Sequence, residues 1–365
     1  MTSNTKEKPR PTLRLVLLVT YACQLDCRYC CVLTELRNQK GREMSLDNIL
    51  RSADFVLSSS THQKVQLHFF GAEPLLVPFE HYLKVLPYAR QRERETGKEL
   101  DICVTTNAAM LNERWVRLFQ QYGVGVEISV DGDAESHNRN RPTRGNRDSH
   151  SLILERLPLI FESGIRINAS MVVSPDTAAK VYENFCYLAE VGFKHIFMMV
   201  ANCVHWPEES RVALKNGLDK IELVYPRLYR ENNVFLMNLV DWVWPMRMNT
   251  ELAVDCDGSI YSACVGYLVR DPQLKKRCTL ARIDTVSEGI DKYLPFRLTN
   301  PSAMRIVFEQ SSALHTVESC ARAGAVMAEF VKRVKKALHP VPEATPPRYE
   351  SVYPSWQADR YAMKS

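Results

Sequence analysis

Three closely spaced cysteines are the residues in this sequence with the clearest chemical potential. Cys23, Cys27 and Cys30 follow an apolar, β-branched run, Leu13–Thr20, that predicts a buried strand. Thiolates at this spacing can wrap a single metal centre. A zinc site requires four ligands, and the adjacent Cys31 is the alternative fourth ligand. An iron–sulfur cube held by three thiolates instead leaves one iron open to bind and activate a small molecule.

A second set of cysteines lies in the last third of the chain. It consists of Cys256, Cys264, Cys278 and Cys320. An Asp-Gly pair between Cys256 and Cys264 predicts a hairpin with one thiol on each arm pointing at a common centre. The four thiolates could complete an iron–sulfur or zinc site, or they are buried free thiols, or they hold a cluster whose open iron binds substrate. Asp257 and Tyr261, beside these cysteines, are candidates for catalytic proton transfer.

The elements that must position these residues alternate between strand and helix. The predicted strands are Leu13–Thr20, 65–70, 101–106, 126–130, 166–173 and His195–Val200. The predicted helices between them are 44–58, with Ser45 as a cap, 79–97, 112–122, 151–163 and 177–191. This alternation predicts an α/β fold with a parallel sheet covered by helices. In such folds the chemistry lies at the carboxyl ends of the strands, where the first three cysteines stand.

Composition and charge exclude several functional classes. The 365 residues, 45% of them hydrophobic, suffice for one large or two modest domains with a core. No apolar run reaches about 18 residues, so we expect no membrane span, and without a secretory signal we expect a cytoplasmic protein. The net charge of +5 comes without a basic tract and does not indicate nucleic-acid binding. Eleven cysteines in a reducing compartment indicate metal ligands or catalytic groups rather than disulfides.

The segment Cys23-Gln-Leu-Asp-Cys27-Arg-Tyr-Cys30 resembles the signature of radical S-adenosylmethionine (radical SAM) enzymes, including the aromatic Tyr29. The resemblance implies a partial (β/α)6 TIM-type barrel and a 4Fe–4S cluster on the three cysteines. The open iron would chelate the amino and carboxylate groups of SAM. One electron, from a donor such as flavodoxin or ferredoxin, would then cleave SAM to methionine and a 5′-deoxyadenosyl radical that abstracts a substrate hydrogen.

Two further segments resemble sequence motifs with which this family binds the cofactor. Gly71-Ala72-Glu73-Pro74 is similar to the Gly-Gly-Glu-Pro segment that contacts the SAM amino group. Its alanine replaces a glycine and is tolerated if the backbone there has negative φ. Asn107 belongs to a stretch that resembles the Thr-Asn-Gly station, with Ala108 in place of the glycine.

A third segment resembles the branch of the family that modifies peptides and proteins. The run from Ser129 to Arg141 is similar to that branch's Ser-x-Asp-Gly…His-Asp-x-x-Arg-Pro run, with Asn138 in place of the aspartate. The match implies that Ser129 and Arg141 reach the SAM ribose and carboxylate, and an arginine fork suits a carboxylate. Val204 lies where the family packs an apolar residue against adenine.

The second cysteine set resembles the SPASM or Twitch extensions of radical SAM peptide maturases, which carry auxiliary 4Fe–4S clusters. The dense cysteine run of a full SPASM domain is absent, so the resemblance implies at most one auxiliary cluster, in an α+β domain. The predicted organisation is an N-terminal tail (1–12), a radical SAM core (13–206), a helical bridge (207–250), an auxiliary-cluster domain (251–338) and a Pro-rich tail (339–365).

The leading hypothesis is a radical SAM enzyme that modifies a peptide, such as a ribosomally synthesised precursor, by a cross-link or another oxidative change. The alternatives are a dehydrogenase or rearrangement enzyme acting on a small molecule such as an amino sugar or alcohol, an anaerobic sulfatase maturase, and a non-catalytic iron–sulfur scaffold. About a dozen residues precede the first strand, too few for a winged-helix module that grips a leader peptide. We therefore expect a separate leader-binding protein, presentation of the peptide by 207–250 and the tail, or a substrate without a leader.

Overall fold

The computed structural model describes residues 12–30, 42–202, 204–239, 250–264, 266, 269, 271–298, 302 and 314–338. These residues form two compact units. The first unit draws on 1–129, 141–165 and 248–314, and the second on 130–140, 166–247 and the residues from 315 onward. Residues 1–11 and 339–365 of the two predicted tails lie outside the described residues, and the predicted domain boundaries stay predictions.

Strands and helices alternate from residue 13 to residue 200, as predicted. The strands are β1 (Leu13–Thr20), β2 (Lys64–Gly71), β3 (Glu99–Thr106), β4 (Val124–Ser129), β5 (Ile167–Val173), β6 (His195–Val200), β7 (Phe235–Leu236), β8 (Leu252–Val254), β9 (Ser259–Tyr261) and β10 (Thr279–Arg282). The helices are α1 (Leu46–Leu57), α2 (Phe79–Thr96), α3 (Glu113–Tyr122), α4 (Ala134–Asn140), α5 (His150–Leu154), α6 (Leu157–Glu162), α7 (Val181–Val191), α8 (Glu208–Asn232), α9 (Pro272–Cys278) and α10 (Leu314–Leu338). The α/β fold class is therefore confirmed.

The first unit contains a sheet in the order β10-β9-β8-β1-β2-β3-β4. Strands β1 to β4 run parallel, β8 pairs parallel with β1, and β8, β9 and β10 pair antiparallel. Strand β1 lies inside the sheet and is buried at seven of its eight positions, which explains its continuous apolar sequence. Because β1, β2 and β3 are parallel, the segments that follow them leave the sheet at the same edge.

Local signals in the sequence set the ends of the helices in this unit. Ser45 caps α1, since its Oγ accepts a hydrogen bond from the Asn48 backbone N–H at 3.2 Å, as predicted. The single helix predicted over 151–163 is wrong, because the structure has two short helices, α5 and α6. Pro158 explains the break, since proline lacks an N–H and fits a helix only in its first turn, where it stands in α6.

The second unit contains the parallel strands β5, β6 and β7 and two long helices. Helices α8 and α10 have 25 residues each and are joined by an ion-pair network. The Arg333 guanidinium contacts Asp219 at 2.6 Å and Glu222 at 2.7 Å. Among the described residues, no helix combines the length and the apolar character needed to cross a membrane.

In the first unit, one carboxylate connects the segment after β10 to the loop after α1. Asp291 accepts hydrogen bonds from the hydroxyls of Ser59 (2.7 Å), Ser60 (2.8 Å) and Thr61 (2.8 Å), and from the backbone N–H of Ser60 (2.6 Å). Burial alone would raise the pKa of Asp291, but these donors outweigh it and hold the pKa well below its usual range. The ionised carboxylate is thus the form that fastens the segment.

We expect Asp291→Ala to lower the free energy of unfolding by about 2 kcal/mol at pH 7, because it removes several hydrogen bonds to a charged acceptor. A depressed pKa gives stability that is complete above the unfolded value near 4 and is lost as the pH falls below it. The difference between Asp291→Ala and the native chain should therefore shrink in acid. Chemical denaturation at several pH values measures this, with the exposed Asp284→Ala as a control that should change little. An Asp291→Ala variant as stable as the native chain at pH 7 would contradict the assignment.

Candidate active site

Cys23, Cys27 and Cys30 lie in the loop that follows β1, and all three side chains are half-buried and free of disulfides. The loop turns at its end, where the Cys30 N–H donates to the Cys27 carbonyl at 3.0 Å. The backbone N–H of Leu25 donates to the Cys23 sulfur at 3.4 Å. The sequence therefore brings the three thiols to the sheet edge at which β1 ends.

The cysteine loop pairs with the segment that begins at Arg141. The Asp26 N–H donates to the Pro142 carbonyl at 2.8 Å, and the Arg144 N–H donates to the Gln24 carbonyl at 3.2 Å. This pairing explains how residues more than a hundred positions apart meet at one site.

Arg141 and Tyr29, both expected near the cofactor, lie against each other. The Arg141 guanidinium carbon is 5.1 Å from the centre of the Tyr29 ring, close enough for a cation–π contact. Arg141 is buried, and its carbonyl accepts a hydrogen bond from Ser149 Oγ at 2.5 Å. The contact places a fixed guanidinium beside the cysteine loop.

The turn after β2 is packed against the end of β1. Gly71 has φ of 128°, and a Cβ there would lie 2.6 Å from the Thr20 carbonyl oxygen, so only glycine fits. The Ala72 N–H donates to that same carbonyl at 2.9 Å, and Ala72 is outside the positive-φ region. The alanine that replaces the expected glycine is therefore accommodated without backbone strain.

Glu73 is fully buried, and both its carboxylate oxygens accept hydrogen bonds from this chain. Oε1 accepts from Thr106 Oγ1 at 2.7 Å and from the Leu75 N–H at 3.1 Å, and Oε2 accepts from the Asn107 N–H at 2.8 Å. Burial raises the pKa of Glu73 to about 7, although the three donors oppose the shift. Glu73 thus fastens the turn after β2 to the end of β3, and a contact with SAM stays a prediction.

Asn107 follows β3 and extends its side chain toward the cysteine loop. Its Oδ1 accepts from Gln24 Nε2 at 2.9 Å and from the Ala109 N–H at 3.1 Å, and its Nδ2 lies 3.8 Å from Cys23 Sγ. Ala108, the second alanine in place of a glycine, has φ of 61° and is buried. This left-handed conformation costs roughly 1–2 kcal/mol for a residue with a Cβ, so the backbone after Asn107 is strained.

The remaining residues that were expected near the cofactor are divided between the two units. Ser129 ends β4 in the first unit and is half-buried. In the second unit, Asp131 is buried and structural: its carboxylate accepts from the Val172 N–H at 3.0 Å and from Asn140 Nδ2 at 3.2 Å. Val204, also in the second unit, is half-buried, and its place against adenine stays a prediction.

Two of the auxiliary cysteines share an apolar cluster in the first unit. Cys256 and Cys264 are buried with Tyr21 and Tyr261, and Cys30 packs against the same cluster. The Cys256 thiol donates to the Leu18 carbonyl at 2.9 Å, and burial followed by the nearby Asp255 and Asp257 charges raises its pKa. In the described structure the Cys256 thiol thus contacts the β1 backbone and an apolar cluster.

Cys278 is buried at the end of α9 in the first unit, and Cys320 is buried in the second. The Cys320 thiol donates to the Val204 carbonyl at 2.7 Å. In the described ranges, no three Cys, His, Asp or Glu side chains already stand together as a metal site. The four-cysteine auxiliary cluster therefore stays a prediction.

A buried aspartate beside these cysteines was not singled out from the sequence. Asp255 accepts from the Tyr21 hydroxyl at 2.6 Å and from the Tyr261 hydroxyl at 2.8 Å, and burial raises the pKa of both phenols. Asp257 instead is exposed and accepts from the Ser259 N–H in the β8–β9 turn. The roles of Tyr261 and Asp257 in proton transfer stay predictions. The position of Asp255, directly before a cysteine and after a buried strand, is the signal that could have found it.

The first cysteine set suits an open iron–sulfur cluster by its donor chemistry. It supplies three thiols on one short loop, half-buried rather than enclosed, with N–H donors directed at the Cys23 sulfur.

The fold and the three-thiol loop define a class of proteins. Residues 17–188 match the Radical SAM superfamily. These residues form a radical SAM domain, and the cofactors of that domain are a 4Fe–4S cluster and SAM.

Two curated relatives are sulfatase-maturating enzymes. The serine-type anaerobic sulfatase-maturating enzyme of Bacteroides thetaiotaomicron is 25% identical over 190 residues, 51% of this chain and 45% of the relative. The cysteine-type anaerobic sulfatase-maturating enzyme of Clostridium perfringens is 26% identical over 234 residues, 64% of this chain and 60% of the relative. The chain thus spans about half the length of the curated relatives it matches.

Solved structures show the same fold. "Native anSMEcpe with bound AdoMet and Cp18Cys peptide" matches with a TM-score of 0.69 at 18% identity, covering 90% of this chain and all of that one. Streptococcus suis SuiB bound to precursor peptide SuiA matches with a TM-score of 0.52 at 12% identity, covering 86% of this chain and 70% of that one. These matches confirm the predicted partial barrel.

Proposed function

We propose that this chain is a radical SAM enzyme that abstracts a hydrogen from a peptide or protein residue and thereby oxidises it or closes a cross-link. The observation that carries the proposal is the three-thiol loop paired with the segment of Arg141 at the carboxyl edge of the sheet. The names of relatives support a peptide substrate, since several are sulfatase-maturating enzymes and one matched structure has a bound precursor peptide.

The proposed reaction balances as an oxidation. One electron from a flavodoxin- or ferredoxin-type donor cleaves SAM to methionine and the 5′-deoxyadenosyl radical. The radical takes one hydrogen atom from the peptide, and the peptide radical then loses one electron to an acceptor and one proton to solvent. The peptide leaves with two hydrogens fewer, as a new carbonyl-level group or a new bond. An auxiliary cluster on the second cysteine set is the acceptor that we propose.

Isotope transfer from a peptide tests the substrate class. The reconstituted enzyme receives SAM, a reductant and a pool of peptides in which a β-deuterated Cys or Ser is flanked by randomised positions. We expect deuterium in 5′-deoxyadenosine and at least about a tenfold rise in its formation over the reaction without peptide. A parallel pool of deuterated alcohols and amino sugars is the control. Deuterium from the small-molecule pool only, or from neither pool, would overturn the proposal.

A further inference from the structure

One side-chain amide contacts the sulfur of a cluster ligand. Asn107 Nδ2 lies 3.8 Å from Cys23 Sγ and donates a hydrogen bond to it. The backbone N–H of Leu25 donates to the same sulfur at 3.4 Å. Within the described residues the Cys23 sulfur thus accepts from both of these N–H groups, and the Asn107 group belongs to a side chain that substitution can remove.

The orientation of the Asn107 amide follows from its other contacts. Its Oδ1 accepts from the Ala109 backbone N–H at 3.1 Å, and a backbone N–H can only donate. Gln24 Nε2 approaches the same oxygen at 2.9 Å. Turning the amide over would place Nδ2 against the Ala109 donor, so the Nδ2 group is the end that faces Cys23.

The backbone of Asn107 is held as firmly as its side chain. Its N–H donates to the buried carboxylate of Glu73, whose other oxygen is held by Thr106. The strained left-handed conformation of Ala108 follows directly. Strain of this kind persists where the surrounding contacts over-determine the backbone, and it accumulates at functional sites.

We infer that Asn107 is a positioning residue that raises the reduction potential of the SAM-binding cluster by donating its amide hydrogen bond to the Cys23 sulfur. Reduction adds negative charge to the cluster and its thiolates, and an N–H donor stabilises the more negative state. Gln24 and Glu73 act through Asn107, Gln24 by orienting its amide and Glu73 by fixing its backbone. The inference rests on the cluster that the family places on the three cysteines, and not on the identity of the substrate.

An EPR-monitored redox titration of the reconstituted full chain tests the inference. The signal of the SAM-binding cluster is identified by its change when SAM is added. We expect Asn107→Leu to lower its potential, so that the ratio of reduced to oxidised cluster at a fixed solution potential falls about tenfold, or 59 mV for one electron. Gln24→Leu should shift the potential in the same direction by less. Gln66→Leu removes a buried amide of β2 that contacts Asp101, and it should leave the potential unchanged.

The iron content of each variant distinguishes a failure of the inference from a loss of the cluster. An unchanged or higher potential in Asn107→Leu, with iron equal to that of the native chain, overturns the inference. If Asn107→Leu does not retain iron, Gln24→Leu decides, and a native potential with full iron in that variant overturns it. A native chain that binds no iron on Cys23, Cys27 and Cys30 would instead contradict the cluster assignment itself.

Discussion

Replacing Cys23, Cys27 and Cys30 together with alanine should abolish the formation of 5′-deoxyadenosine. The three thiols have the spacing of the family signature, and the structure places them on one loop at the sheet edge used for chemistry in such folds. Without thiolate ligands the cluster cannot form, and SAM then has neither a binding iron nor a source of the cleaving electron. Chromatography of reaction mixtures with a chemical reductant measures the product. Continued SAM cleavage by the triple variant would contradict the assignment.

Iron and sulfide content extends the same experiment to the second cysteine set. A fall from about eight irons to about four between the native chain and the triple variant would indicate a second 4Fe–4S cluster. A fall from about four to none would leave Cys256, Cys264, Cys278 and Cys320 as structural thiols and favour redox-neutral chemistry. The matched control removes two thiols elsewhere, Cys103 and Cys186, and should retain the native iron content.

The sequence predicted the elements that carry the site because their signals are local. Strands β1 and β6 have the predicted bounds, since unbroken apolar runs of that length fit a buried strand. The cysteine spacing could be recognised because all three cysteines lie within eight positions. Ser45 was identified as a cap because a cap acts on N–H groups only two or three residues away.

Contacts between distant segments could not be predicted in the same way. Ala72 and Ala108 are the same departure from the family pattern, yet only Ala108 has positive φ. The Ala72 N–H donates to the Thr20 carbonyl of β1, whereas the Ala108 N–H donates to Thr106 Oγ1 at 3.0 Å, and a single sequence displays neither contact. The hydrogen bonds from the end of β3 to Glu73 could not be predicted either, because they join residues more than thirty positions apart.

The cofactor role of Arg141 is a prediction with a large expected effect. Its buried guanidinium lies over the Tyr29 ring beside the cysteine loop, which fixes its position before a ligand arrives. A planar guanidinium held in this way can bind the SAM carboxylate through two parallel hydrogen bonds. We expect Arg141→Ala to weaken SAM binding at least tenfold, or about 1.4 kcal/mol. Equilibrium dialysis of SAM with reconstituted protein measures this.

The Arg141 experiment must distinguish a loss of SAM binding from damage to the cysteine loop, because Arg141 also packs within the protein. Arg141→Lys keeps the positive charge but loses the planar guanidinium. If that group makes two hydrogen bonds to the SAM carboxylate, Arg141→Lys should weaken SAM binding nearly as much as Arg141→Ala does. Arg139→Ala is the matched control, since Arg139 is an exposed residue that pairs with Glu135 on α4. Each variant is compared at equal iron content, because damage to the cysteine loop would lower iron as well as affinity. Native SAM affinity in Arg141→Ala with full iron would reject the assignment, whereas a loss shared by Arg141→Lys and absent from Arg139→Ala would establish the guanidinium as the group that holds SAM.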